Sequence, residues 1–143
     1  MAQSDSRRLY IVLPYLYPDL VNQIPLLGGD YHLQNNSDGS GTQLNWHKEG
    51  TAEPTVQELA DAKEPAINDY WWKLLRRTRD RLLVNSDWSQ GADVPSAVKS
   101  SYATYRTDLR DLPTTVTKPD FATLNNQSIG EWDIDSLMPT KPS

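Results

Sequence analysis

The chain has 143 residues, of which 37% are hydrophobic and 23% charged, enough for one modest domain or one domain with arms. A formal net charge of -5 argues against a general nucleic-acid binder, which needs a basic surface. The absence of cysteine excludes a disulfide framework and a thiolate metal site. No stretch reaches the roughly 18 apolar residues of a membrane span. The polar start and the Pro14-broken run Leu9 to Leu16 lack a signal-peptide pattern, so the expectation is a protein kept in a cytosol. Five tryptophans and seven tyrosines stand against one phenylalanine. Such rings fill cores or serve interfaces, being apolar at one end and hydrogen-bonding at the other.

Charge divides the chain into three zones. Residues 1–69 carry net -6, residues 70–111 net +3 and residues 112–143 net -2. In the first zone Arg8 to Leu13 has the composition of a strand, ended by Pro14 and Pro18. Tyr31-His32-Leu33-Gln34 and Gln43-Leu44-Asn45-Trp46 flank the polar run Asn35 to Gly41, which predicts a β-hairpin. An isolated hairpin is marginal in water, so it must lean on helices or on another chain.

The second zone predicts two helices. Thr55 and Glu58 fit a capping box, and Pro65 predicts a kink or a restart. Ile67, Trp71, Leu74, Leu75, Thr78 and Leu82 recur in steps of three and four, drawing one apolar stripe, and Asn85-Ser86-Asp87 marks the stop. Asp93 as cap and Pro95 in the first turn predict a second helix, with Val98, Tyr102, Tyr105, Leu109 and Leu112 in heptad steps and Pro113 at its end. The stripes either face each other in an antiparallel helical hairpin or face symmetry-related copies. From Pro113 on, the Thr-, Pro- and Asn-rich tail predicts an extended arm dotted with Phe121, Leu124, Ile129, Trp132, Ile134, Leu137 and Met138. Such an arm either docks on a neighbour or frays. The fold class is therefore α+β: an N-terminal β and loop region (1–54), a helical hairpin (55–113) and a C-terminal arm (114–143).

No catalytic constellation is visible. His32 and His47 come near each other across the hairpin and, with Asp30 or Glu49, form a conceivable zinc set. They lack His-x-His or HExxH spacing, so no metal and no cofactor is assigned. Gly39-Ser40-Gly41 lacks the lysine and the following helix of a phosphate loop. Arg76, Arg77, Arg79 and Arg81 read as a solvated basic face or one that meets an acidic partner; Asp80 has the spacing to pair with Arg76 or Arg77. The expectation is an interaction protein rather than an enzyme. Its candidate partner contacts are Trp71, Trp72, Trp88, Tyr102, Tyr105, Arg106, Arg110 and Trp132.

The longest signal is Arg79-Asp80-Arg81-Leu82-Leu83-Val84-Asn85-Ser86-Asp87-Trp88-Ser89-Gln90, followed by Tyr102-Ala103-Thr104-Tyr105-Arg106-Thr107-Asp108-Leu109-Arg110-Asp111-Leu112-Pro113. This ordered pair resembles the phage tail assembly chaperone family, whose helical hairpin reads approximately R-D-x-L-L-x-x-x-D-W-T-Q and then W-x-x-Y-R-x-x-L-R-D-L-P. Ser89 stands where threonine is usual, and Tyr102 where tryptophan is usual. Trp46 through Leu59 is similar to the family's tryptophan-ended strand leading into a P-T-x-x-E-L helix start, so the resemblance covers residues 46–113. It implies binding to a phage tail-fibre protein during folding or trimerisation in the host cytoplasm, with no catalytic residues. A permanent tail or fibre accessory subunit of the virion uses the same features, and a small DNA-binding regulator is a third class. Fibres are trimers, so symmetry suggests self-association into a matching trimer. Within the motif, Arg106 is placed to pair with Asp87 or Asp80 across the hairpin, Arg110 with Asp111 or a partner, and Trp88 to plug the open end of the helix pair.

Overall fold

The computed structural model describes residues 7–143. Its regular elements are α1 (Leu9–Leu16), β1 (Tyr31–Asn35), β2 (Thr42–Trp46), α2 (Val56–Asn85), α3 (Ser96–Thr115) and α4 (Phe121–Asn126). Short 3-10 turns cover Pro25–Leu27, Asp87–Gln90, Ile129–Trp132 and Ile134–Leu137. The architecture is α+β, a single two-stranded antiparallel hairpin among helices. Two compact units divide within α2, one reaching to Asn68 and the other Asp69–Ser143.

In the first unit, the strand expected over Arg8 to Leu13 is instead helix α1. A short apolar run fits a buried strand or a buried helix equally well, and Leu9, Val12 and Leu13 share the i, i+3, i+4 helical spacing. All three are buried, with Ile11. Pro14 lies inside α1, and burial of Leu9, Ile11, Val12 and Leu13 offsets the bond it gives up.

The predicted hairpin is present, with Tyr31 opposite Trp46, His32 opposite Asn45 and Leu33 opposite Leu44. Alternation puts Tyr31, Leu33, Leu44 and Trp46 on one face. There Tyr31 stacks on Trp46 at 5.9 Å, and Tyr17 meets the same indole at 5.3 Å. These rings supply the support that a lone hairpin needs. Before β1, Gly29 lies so close to the Gln23 carbonyl that a Cβ would sit 1.8 Å from its oxygen, so only glycine fits.

The Asp30 carboxylate accepts the Val21 N–H at 2.8 Å and faces the Lys48 ammonium at 3.4 Å. The Val21 bond, then Lys48, hold its pKa below the ordinary carboxylate value. A lowered folded pKa stabilises the fold above the unfolded value, and that stability is lost as pH falls through the folded value. Asp30→Asn is therefore expected to flatten the stability loss between about pH 5 and pH 2, with little change in slope above that range. Urea unfolding of both proteins across that range checks it.

Helix α2 opens with the capping box. The Glu58 N–H donates to Thr55 Oγ1 at 3.1 Å, and the Thr55 N–H donates to Glu58 Oε2 at 2.8 Å. Thr55→Ala is expected to cost about 1 kcal/mol, and adding Glu58→Ala less than a second full increment, because one reciprocal pair is lost in both. Urea midpoints of the two single variants and the double variant measure this. The helix then runs through Pro65 without a restart. Leu59 and Ala62 are buried before the proline, and Ala66 and Ile67 after it. Burial on both sides outweighs the roughly 3 kcal/mol that an internal proline costs.

In the second unit, α3 returns along α2. Gln90 Nε2 donates to the Lys99 carbonyl at 3.3 Å, while Arg106 reaches the Leu83 carbonyl, so ascending numbers on α3 meet descending ones on α2. The α3 stripe thus closes on its own chain: Tyr102, Tyr105 and Leu109 pack with Leu82, Leu83 and Met138. Asp93 is not the cap; α3 begins at Ser96, with Pro95 at the N-cap and no side-chain cap bond. Nor does Pro113 end the helix, which continues to Thr115. The Thr114 and Thr115 hydroxyls donate to the Asp111 and Leu112 carbonyls at 2.7 and 3.2 Å, satisfying the last turn.

The tail is not an extended arm. Asp120 caps α4 by accepting the Thr123 N–H at 2.8 Å. Leu124 and Trp132 are buried, and the indole N–H donates to the Leu124 carbonyl at 3.0 Å. Polar composition concealed a segment whose few apolar residues are the ones that pack.

Candidate interaction surface

The turn between α2 and α3 is built by side chains taking over backbone bonds. At the end of α2, Ser86 Oγ donates to the Leu82 and Leu83 carbonyls at 2.9 and 3.0 Å. Buried Ser89 donates to the Ser86 carbonyl at 2.6 Å. Arg106, buried on α3, reaches across and donates to the Leu83 carbonyl at 2.6 Å, to Ser86 Oγ at 2.8 Å and to Asp87 Oδ1 at 2.8 Å. Its guanidinium thus sits at the negative end of α2, where a cation is favoured. Of the two partners expected for Arg106, the structure selects Asp87. Asp80 is held by its neighbour Arg79 at 2.8 Å, rather than by Arg76 or Arg77.

An aromatic row runs along the outside of this clasp. Trp88 meets Tyr102 edge-on at 5.0 Å, and Tyr102 meets Tyr105 at 6.1 Å. Burial, then the neighbouring Tyr102, raises the Tyr105 phenol pKa above its ordinary value. Trp88 does not plug the helix pair: 56% of it is exposed. Leu82, Asn85, Ser86, Tyr102, Tyr105 and Lys141 enclose a recess of about 90 Å³.

The predicted contact residues separate into two sets. Trp71, Tyr102, Tyr105, Arg106 and Trp132 are buried. Trp88 and Arg110 are exposed, and Trp72 is half-buried beneath the Arg76 guanidinium, 5.6 Å from its ring. Trp88, Tyr102, Tyr105 and Arg106 meet at one end of the helix pair. Trp71 contacts Trp72 at 4.9 Å, and Trp132 meets Tyr70 at 6.1 Å. The basic face is partly satisfied internally, with Arg81 3.6 Å from Asp135. Sequence reasoning missed Ser86 and Ser89; the only available signal was a pair of serines just after a helix stop.

His32 Nδ1 and His47 Nε2 do come together, 3.2 Å apart. Among the described residues no group of three or more His, Asp or Glu side chains is placed to hold a metal ion. Asp30, the carboxylate considered for such a set, is engaged with Val21 and Lys48. No helix of the described residues is long and apolar enough to cross a membrane.

Residues 72–132 match the family model described as phage tail assembly chaperone protein. This segment is similar to the phage tail assembly chaperone family. It covers less than half of the chain, and it begins in the middle of α2 and ends at Trp132. The family segment therefore contains the Arg106 clasp, the aromatic row and the packed tail through its buried indole. It extends beyond Pro113, where the resemblance read from the sequence stopped, and it leaves out Trp46 through Leu59. No curated protein and no solved structure matches the chain at a significant level.

Proposed function

We propose that the protein is a non-catalytic tail-fibre assembly chaperone, which binds a fibre protein in the host cytoplasm and promotes its folding or trimerisation. The family match over residues 72–132 carries this reading. The structure supplies a rigid helix pair whose own stripe is already buried, leaving surface groups free for a partner. Among the contact candidates these are Trp88, Arg110 and the exposed edge of Trp72. An exposed tryptophan is the amphipathic anchor that interface cores favour. The buried candidates hold that surface in place.

Co-expression with the phage's tail-fibre protein, followed by size-exclusion chromatography with light scattering, tests the proposal. Soluble fibre trimer is expected only when this chain is present, and the eluted mass tells whether it stays bound and in how many copies. Fibre that folds equally well alone, with no co-elution, overturns it. Trp88→Ala is expected to weaken co-elution while leaving the fold intact, since its ring is largely in solvent.

A further inference from the structure

The hairpin has two outer edges, and they are treated differently. Along β1 the edge is covered at Tyr31, whose carbonyl accepts the Gln23 N–H at 2.8 Å and whose N–H donates to the Val21 carbonyl at 3.3 Å. Asn22 forms a parallel bridge with the same residue. Along β2 the direction of each backbone group follows from the register. The His47 N–H donates to the Asp30 carbonyl at 3.1 Å, so the pair 30 and 47 is hydrogen-bonded. Alternation along an antiparallel ladder then makes His32–Asn45 and Gln34–Gln43 the bonded pairs, and turns the N–H and C=O of Thr42, Leu44 and Trp46 outward. The Thr42 carbonyl is taken by the Arg7 guanidinium. The backbone groups of Leu44 have no partner among the described residues.

Exposed edges are ordinarily blunted by charge, proline or a bulge. Thr42-Gln43-Leu44-Asn45-Trp46 has none of these charges or prolines. The edge instead opens on a recess of about 420 Å³, apolar at Leu44, Pro54, Val56 and Leu59 and polar at Arg7 and Glu53. A second recess of about 250 Å³ shares Arg7, Val56 and Leu59, and continues to Ala60 and Lys63. Val56, at the first position of α2, is 80% exposed. An unpaired donor and acceptor on a strand edge accept an extended backbone, and the apolar side of a recess beside them accepts an alternate side chain of that backbone. The recess beside Leu44 carries both Arg7 and Glu53, and Lys63 at the adjoining recess adds a positive charge that favours an acidic residue in the incoming segment.

We infer that the outer edge of β2 is a strand-addition site, on which an extended segment of the fibre protein pairs with Leu44 and seats an apolar side chain between Leu44, Val56 and Leu59. This rests on the fibre-chaperone reading for the identity of the partner. It adds a second contact, outside the family segment, that recognises β-strand still lacking its own neighbour. A chain that captures such strands withholds them from edge-to-edge aggregation until the trimer forms.

Proline scanning of the two edges in the full-length protein, co-expressed with the fibre protein, tests it. Leu44→Pro removes an outward N–H that the hairpin does not use, and puts a ring where the incoming strand must lie. It is expected to lower fibre capture about tenfold or more, by the lost bond and the clash. Leu33→Pro makes the same change at the opposite position of the same pair, on the other edge, and is expected to leave capture within about twofold. Leu44→Pro that captures fibre as well as the parent protein overturns the proposal. If both prolines abolish capture, amide hydrogen exchange on the unaltered complex decides: slowed exchange at Leu44 supports strand addition, and unchanged exchange there overturns it. Val56→Lys, on an exposed side chain that folding does not need, is expected to weaken capture in parallel. Failure of the parent protein to capture fibre defeats the chaperone reading itself, an outcome distinct from equal capture by the parent and Leu44→Pro.

Discussion

Arg106→Ala is expected to destabilise the protein by about 2–4 kcal/mol, read as a lowered urea midpoint in tryptophan fluorescence. The side chain is buried and satisfies three acceptors at once: the Leu83 carbonyl, Ser86 Oγ and Asp87. Truncation removes two charge-assisted bonds and the buried side chain that fills the turn; the Leu83 carbonyl and Ser86 Oγ keep their bonds to each other, and the lost bonds and packing dominate. The ion pair itself contributes the smaller part, because the Asp87 side chain is 63% exposed and its charge is screened. Asp87→Ala alone is therefore expected to cost under about 1 kcal/mol. The double variant should fall short of the summed single losses, since Arg106→Ala already removes the contact of Asp87; strictly additive losses would mean that the pairing does not contribute. Arg106→Lys is expected to fall between alanine and the native residue, because an ammonium on a flexible stem lacks the planar fork that reaches all three acceptors.

Trp132→Ala is expected to cost about 3–5 kcal/mol, the range for deleting a large buried ring. The ring is 5% exposed, packs edge-on with Tyr70 at 6.1 Å and donates to the Leu124 carbonyl at 3.0 Å. Trp132→Phe keeps much of the volume but gives up that bond, so a loss of about 1–2 kcal/mol is expected. Were the tail an arm waiting for a neighbour, either change in the isolated protein would stay within about 0.5 kcal/mol. Urea unfolding of the isolated protein distinguishes these outcomes. The result also bears on function, because the family segment ends at this residue and a destabilised tail would loosen the helix it covers.

Local chemistry was legible wherever a short run of residues satisfies itself. Thr55 and Glu58 announce their own reciprocal bonds, since both partners lie within one turn. The hairpin follows from alternation and a glycine-bearing loop, while its register and the choice of Asp87 over Asp80 for Arg106 came from the structure. The α3 stripe was equally plain, and four of its five residues are buried. Errors arose where the decisive partner lies far along the chain. Leu9 to Leu13 carries a pattern that strand and helix both accept, and its burial within the first unit chose the helix. The local cost of proline predicts a kink or restart at Pro65 and an end at Pro113, yet α2 continues through Pro65 with buried residues on both sides, and α3 runs on to Thr115. The contact residues show the same limit: aromatic residues at helical spacing have the same signature whether they face a partner or their own core.

The sequence by itself determined the α+β class, the hairpin, the two helices with their stripes, and the family resemblance. These rest on periodicity and on bonds between near neighbours, whose energies depend little on the rest of the fold. Only the tertiary structure decided that the α3 stripe meets its own chain, that the tail folds back around Trp132, and that Trp88 rather than Tyr105 faces solvent. Those outcomes depend on which apolar surfaces meet. Burial is non-directional and proportional to area, so no single residue encodes its address.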